Sequence, residues 1–211
     1  MGAVRLLGVA AVGYGLGGVS TADLACRLAT GGTVDLRTTG SGNPGAANAM
    51  RVLGWGWGYS ILGADIAKGA LACVVGSSLG GPNGCHLGGA AAVVGHCFPV
   101  ASGFRGGKGV AASVGQCLVT FPAYFPIDLA VATLTSFGPW RRRAYGAIAL
   151  SSTLWVASGV LWWQKGWSNW WGPPPSVALP LASAVSSAVI LSRFIAAQRA
   201  LTSAGPGRSA G

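Results

Sequence analysis

Two glycine-rich, cation-bearing segments hold the side chains best suited to phosphate in this 211-residue chain. The first runs Gly40-Ser41-Gly42-Asn43-Pro44-Gly45-Ala46-Ala47-Asn48-Ala49-Met50-Arg51. The second runs Gly103-Phe104-Arg105-Gly106-Gly107-Lys108-Gly109. Glycine lets successive backbone N–H groups turn toward one anion and form a nest for phosphate oxygens. Ser41, Asn43 and Asn48 add hydroxyl and amide groups to the first segment, and Arg51 can grip a phosphate through two parallel hydrogen bonds. Asn48 and Arg51 are three apart, so a helix starting there puts them on one face. In the second segment Arg105 and Lys108 supply charge. It is not a nucleotide P-loop: Ser102 stands where that pattern needs its first Gly, and Gly109 where it needs Ser or Thr. ATP is therefore not implied. A plain turn between helices is the competing reading of this second segment.

Three further residues stand inside apolar runs. Asp65 and Lys68 have the spacing of a helical pair, and ionisable residues within a membrane span are paired or functional. A structural pair and a support for the site are both open readings. His96 falls near the inner half of its run, where a hydrogen-bonded packing role competes with that of a base. Cys26, Cys73, Cys85, Cys97 and Cys117 include no C-x-x-C pair and read as small buried hydrophobes. Cys85-His86 and His96-Cys97 would lie at opposite ends of one span, which argues against a metal site.

The elements that position these residues follow from composition. The chain is 51% hydrophobic and 9% charged, with four Asp and no Glu. Soluble domains carry about 25% charged residues, so the chain belongs in a bilayer. Its net charge of +10 suits anionic headgroups or phosphorylated substrates. Nucleic-acid binding fits poorly, because long uncharged runs separate the basic residues. Seven spans are expected, at residues 6–24, 55–79, 86–101, 110–124, 127–137, 144–163 and 177–195. The first has Arg5 ahead of it and Asp23 where a signal peptide wants an apolar residue, so it reads as a helix that stays. The expected architecture is an all-α polytopic membrane protein, one domain over residues 1–201, with a short disordered tail at 202–211.

Alternating loops then divide the basic residues unevenly. Of the 14 Lys and Arg, eleven fall on one side: Arg27, Arg37, Arg51, Arg105, Lys108, Arg141, Arg142, Arg143, Arg193, Arg199 and Arg208. Only Arg5 and Lys165 fall on the other. By the positive-inside rule the N-terminus is outside and the C-terminus cytoplasmic. Both glycine-rich loops then face the cytoplasm, and Trp162, Trp163, Trp167, Trp170 and Trp171 read as an outer interfacial anchor.

The chain resembles the bacterial acyl-phosphate:glycerol-3-phosphate acyltransferases of phospholipid synthesis. Val34-Asp35-Leu36-Arg37 leading into Ser41–Gly54 is similar to the family's first motif, Asp65-Ile66-Ala67-Lys68-Gly69 to its D-x-x-K-G, and residues 95–113 to its second motif. The resemblance spans roughly residues 15–200. It implies transfer of a fatty acyl group from acyl phosphate to the 1-hydroxyl of glycerol 3-phosphate, giving lysophosphatidic acid and phosphate at the cytoplasmic face of the inner membrane. It places Ser41 and Arg51 in the essential first motif, and Gly106, Gly107, Lys108 and Gly109 in the phosphate-binding second motif.

Acyl phosphate is already activated, so no cofactor, metal or covalent nucleophile is required. On this reading Ser41, Arg51 and Lys108 are catalytic. Gly42, Asn43, Asn48, His96, Arg105, Gly106, Gly107 and Gly109 bind substrate, and Arg37, Asp65 and Lys68 support them. The third motif departs from the family's R-H-x-x-N pattern: Phe194 stands where its His would be, Ala197 where its Asn would be, and its closing Glu has no counterpart. Ala47 also replaces a Thr. Two alternatives remain open: a catalytically degenerate relative that binds lipid precursors or a partner, and a small transporter of phosphorylated solutes.

Overall fold

The computed structural model describes residues 2–137 and 144–203, and every regular element among them is helical. In chain order these are α1 (Ala3–Gly18), α2 (Thr21–Thr30), α3 (Ala46–Val52), α4 (Trp55–Cys97), α5 (Val110–Thr120), α6 (Phe125–Phe137), α7 (Ala144–Lys165) and α8 (Ala178–Ser203). One 3₁₀ turn, Val100–Ser102, follows α4. Among the described residues, four stretches are long and apolar enough to cross a bilayer: Ala3–Thr30, Trp55–Ser102, Tyr145–Lys165 and Ala178–Ala200. The basic run Arg141–Arg143, Arg208 and most of the expected tail lie outside the described residues.

The 43 residues of α4 are not one rod. Gly81 takes φ +63° and ψ −156°, a conformation closed to most L-residues, and Pro82 follows it. The chain reverses there, so residues 55–80 and 82–97 run back along each other. A Cβ on Gly76 would land on the Gly84 carbonyl, and one on Gly88 would land on that of Ala72. α1 packs on this hairpin the same way, with Gly13 against Gly88 and Gly17 against Ala92. On its other side α5 presents Ala112 to Gly69 and Gly115 to Ile66. Backbone-to-backbone approach through small residues is how helices associate where lipid removes the hydrophobic drive.

The first predicted span differs from its expectation. It was expected to run unbroken to residue 24, but α1 stops at Gly18 and Val19 is extended (φ −62°, ψ 116°). The Ser20 hydroxyl accepts the Asp23 N–H at 3.2 Å and caps a new helix, α2. A side-chain oxygen in that position stabilises a helix start by about 1 kcal/mol. At the far end, α8 continues through Thr202, whose hydroxyl donates to the carbonyls of Gln198 and Arg199, so the helix outlasts the expected tail boundary.

α5 has 11 residues and α6 has 13, both shorter than the ~20 that a crossing needs. Phe121 and Tyr124 fill the turn between them and stack at 5.3 Å. Trp162 seals that turn edge-on at 5.4 Å from Phe121, and Trp171 donates to the Leu118 carbonyl at 3.0 Å. Part of the tryptophan cluster therefore closes the fold, while Trp163, Trp167, Trp170 and Trp171 keep exposed faces. The five cysteines are buried and unbridged.

Candidate functional site

The break between α1 and α2 leaves the Val19 carbonyl outside any helical ladder. It accepts the Thr21 N–H at 3.1 Å and a hydrogen bond from Lys68 Nζ at 3.0 Å. The same ammonium lies 2.9 Å from Asp65 Oδ1, one turn earlier on α4. Thr21 Oγ1 donates to that oxygen at 2.7 Å, and His96 Nδ1 stands 3.5 Å from it. Asp65 is 2% exposed. The helix break, both arms of α4 and three polar side chains thus meet at one carboxylate. The pair read from its three-residue spacing is real, and its partners come from the two flanking elements.

The first glycine-rich loop is organised by Asn48. Its amide nitrogen donates to the carbonyls of Leu36 (3.0 Å) and Thr39 (2.9 Å), and its oxygen accepts the Ser41 N–H at 2.9 Å. At 2% exposure, with both ends of the amide engaged, Asn48 shapes the loop from inside. Asn43 folds over Gly45, whose N–H bonds the Asn43 carbonyl at 2.8 Å. Gly42 takes a left-handed φ of +70°. Ser41 and Arg51 are exposed. Arg37 ties this loop to everything around it. Its guanidinium pairs with Asp23 and donates to the Arg105 carbonyl at 2.7 Å. Ser102 also reaches Asp23, at 3.3 Å. Its hydrogen bond to Asp23, against the opposing effect of burial, raises Arg37 above its already high pKa.

The second loop closes the end of α4. The N–H groups of Gly106 and Gly107 donate to the Cys97 and His96 carbonyls at 3.3 and 3.1 Å. Those are helix-terminal acceptors that lack a partner within the helix. The two amides expected to cradle phosphate are therefore already engaged. The glycines are needed for closeness: a Cβ on Gly107 would collide with the His96 imidazole, and one on Gly106 with the His96 carbonyl. Gly109, at φ +89°, turns the chain down onto Cys97 and Ile190. The loop's own carbonyls go to α8, where Arg193 donates to Gly107 (3.2 Å) and Gly106 (2.8 Å). Lys108 also turns toward α8 and sets its ammonium 4.6 Å from the centre of the Phe194 ring. Desolvation, and then the charge of Arg193, lower the Lys108 pKa below its ordinary value.

These parts enclose a small cleft lined by Ser20, Thr21, Arg37, Lys68, His96 and the Gly106–Gly107 backbone. Pro44 of the first loop reaches its edge. The positive end of the α2 dipole points here and favours an anion. A larger, mainly apolar groove of about 450 Å³ adjoins it along Tyr14, Leu24 and Val100. Arg51, Arg105, Lys108 and Arg193 have no carboxylate partner among the described residues. Positive charge left unpaired in this way favours anions.

Arg37, Lys68, His96, Gly106 and Gly107 are thus brought together, with Asp65 behind them. Ser41, Arg51 and the Arg105 side chain stand outside the lining, and Lys108 lies toward α8. Ser20, Thr21 and the grip of Arg193 were not expected from the sequence. The pattern Ser20-Thr21-Ala22-Asp23 is a helix-start signature that the surrounding apolar run conceals.

Comparison with known proteins gives a consistent outcome. The family model described as glycerol-3-phosphate acyltransferase matches residues 7–203. The glycerol-3-phosphate acyltransferase of Thermoanaerobacter sp. (strain X514) is 37% identical over 129 residues, covering 61% of this chain and 65% of that protein. The matched stretch is thus just under two thirds of that relative's length. The glycerol-3-phosphate acyltransferase of Desulforudis audaxviator is 36% identical over 170 residues, covering 81% of this chain and 82% of that protein. Among solved structures, the integral membrane glycerol 3-phosphate acyltransferase PlsY in its glycerol 3-phosphate form superposes with a TM-score of 0.72 at 27% identity. That match covers 94% of this chain and 92% of PlsY. The lysophosphatidic acid form of PlsY gives 0.68 at 25% identity.

Proposed function

The chain belongs to the glycerol-3-phosphate acyltransferase family, and on that premise we propose that it acylates glycerol 3-phosphate at the 1-hydroxyl using acyl phosphate. The observation that carries this reading is the convergence of the α1–α2 break, Arg37, Lys68, His96 and the second loop on one anion-suited cleft beside an apolar groove. Two phosphorylated substrates need two sets of cations, and an acyl chain needs an apolar channel open to lipid.

The hydroxyl oxygen of glycerol 3-phosphate attacks the acyl carbonyl carbon. The bond from that carbon to the phosphate oxygen breaks, and inorganic phosphate leaves. The hydroxyl proton passes to a phosphate oxygen, so the protein need not supply a base. Arg51 and Lys108 stabilise charge as it develops on the departing phosphate and the carbonyl oxygen. The Asp65–Lys68–His96 cluster fixes the floor of the cleft, and holding both substrates there lowers the entropic barrier. Ser41 binds by hydrogen bonding rather than as an acyl-accepting nucleophile: among the described residues no base hydrogen-bonds its hydroxyl, and activating a serine needs one.

We further propose that the chain resides in the bacterial inner membrane as seven segments. Residues 55–80 and 82–97 count as two of them, and α5 and α6 form a short pair. The N-terminus is then outside, and both loops and the C-terminus are cytoplasmic. The test is direct. Purified protein in detergent or lipid is supplied with palmitoyl phosphate and glycerol 3-phosphate, and lysophosphatidic acid and phosphate are measured. Turnover that disappears in Lys108→Ala and in Arg51→Ala, with both variants still inserted, supports the reading. Absence of turnover by the unmodified protein rejects it in favour of a binding role.

A further inference from the structure

Phe194 occupies a position where a hydrogen-bonding side chain would be expected beside the second loop, and nothing about its residue type suggests a function. Its surroundings do. Phe194 packs against the buried cluster of Val93, Cys97, Ala112 and Ile190, which fixes the ring on α8. The Lys108 ammonium stands 4.6 Å from the ring centroid. One residue earlier, Arg193 anchors the carbonyls of Gly106 and Gly107 and lies 5.3 Å from the Phe98 ring. Two consecutive residues of α8 therefore hold one loop by different means: Arg193 holds its backbone and Phe194 its cation.

We propose that Phe194 is a positioning residue, and that the negative face of its ring holds the Lys108 ammonium in place for the departing phosphate. A cation within about 6 Å of an aromatic centroid is attracted by the ring quadrupole, more strongly where water is excluded. Lys108 is half-buried, so its charge is partly desolvated. No acid neutralises it among the described residues. An aromatic face orients an ammonium without consuming its charge, whereas a carboxylate would quench it. A protonated imidazole at 194 would repel it. The phenyl ring also needs no partner of its own, which suits its seat against an apolar cluster. The proposal rests on the acyltransfer reading for its catalytic consequence, and on the contact alone for its physical content.

The experiment has two arms. In the first, phenylalanines with one to five ring fluorines are installed at 194. Fluorine withdraws electron density from the ring face while keeping a similar shape and greasy character. The expected result is a graded fall in kcat/KM reaching about tenfold, with Leu at least as low and Trp recovering most of what Leu loses. A flat series in an active enzyme overturns the proposal. In the second arm, the lysines Lys68, Lys108 and Lys165 are reductively methylated with ¹³C, which keeps their charge. The Lys108 methyl signal is expected upfield from ring current and to return to its ordinary position in Phe194→Leu. No upfield signal overturns the contact. Because this arm needs no turnover, an inactive protein with the shifted signal rejects the acyltransfer reading while the Lys108–Phe194 pairing stands.

Discussion

Lys68 donates to the Val19 carbonyl at 3.0 Å while its charge is matched by Asp65 at 2.9 Å. One ammonium thus satisfies both the broken end of α1 and a buried carboxylate on its own helix. Replacing Lys68 by Met leaves the carboxylate with Thr21 and the more distant His96, and leaves the carbonyl with the Thr21 N–H alone. Removing one partner of a buried pair costs about 3–5 kcal/mol, so Lys68→Met is expected to be severely destabilised. Asp65→Asn keeps an oxygen for Thr21 and should lose less. Because the five cysteines are buried, a thiol-reactive dye that reports their exposure on heating gives the melting temperatures. Equal melting of Lys68→Met and the parent chain would show that the pair contributes no stability.

Gly107 should be among the least replaceable residues of the second loop. Its Cβ would occupy the space of the His96 ring, and moving that ring disturbs the Asp65 cluster behind it. Gly107→Ala is expected to lose about a hundredfold in kcat/KM, the scale on which small misplacements near reacting groups operate. Gly103→Ala is the control. Gly103 also has a positive φ, +57°, but nothing lies within 4 Å of the new methyl group. It should cost about 1 kcal/mol of backbone strain and little activity. Comparable losses in the two variants would mean that loop strain, not the His96 contact, governs the site.

Arg37→Lys tests the tie between the two loops. Arginine's planar fork lets one side chain pair with Asp23 and also reach the Arg105 carbonyl. A single ammonium on a flexible stem cannot reproduce that geometry. The expected outcome is a rise of about tenfold in the KM for glycerol 3-phosphate with a smaller change in kcat. An unchanged KM would leave Arg37 as a fold element only.

How much of this was legible beforehand depended on whether the signal was local. The two loops and the Asp65–Lys68 pair stood out because glycine clusters and a three-residue spacing need no tertiary information. The reversal at Gly81-Pro82 was marked by turn chemistry. The break at Val19–Ser20 was not read, because residues 6–24 stay apolar enough to pass as one helix and the Ser20–Asp23 cap is a weak pattern. The engagement of the Gly106 and Gly107 amides by the end of α4 was invisible, since it depends on where the chain returns. Phe194 was misleading for the same reason. Matched as a residue type it signals a loss, whereas in the fold it faces Lys108.

The alkaline limb of the pH profile follows from that environment. Burial, and then the charge of Arg193, lower the Lys108 pKa from its ordinary 10.5. If catalysis requires the charged ammonium, kcat/KM must fall as pH rises through this lowered value, earlier than for an ordinary lysine. Lys108→Arg keeps the charge to far higher pH, because a guanidinium does not titrate in the accessible range. The variant is expected to be slower at neutral pH, since its fork fits the Phe194 face and the phosphate differently, yet to lose the alkaline decline. Initial rates over pH 7–10 with both substrates saturating, and again at low acyl phosphate, distinguish the cases. A decline that persists unchanged in Lys108→Arg would assign it to another group and remove Lys108's charge from the rate-limiting step.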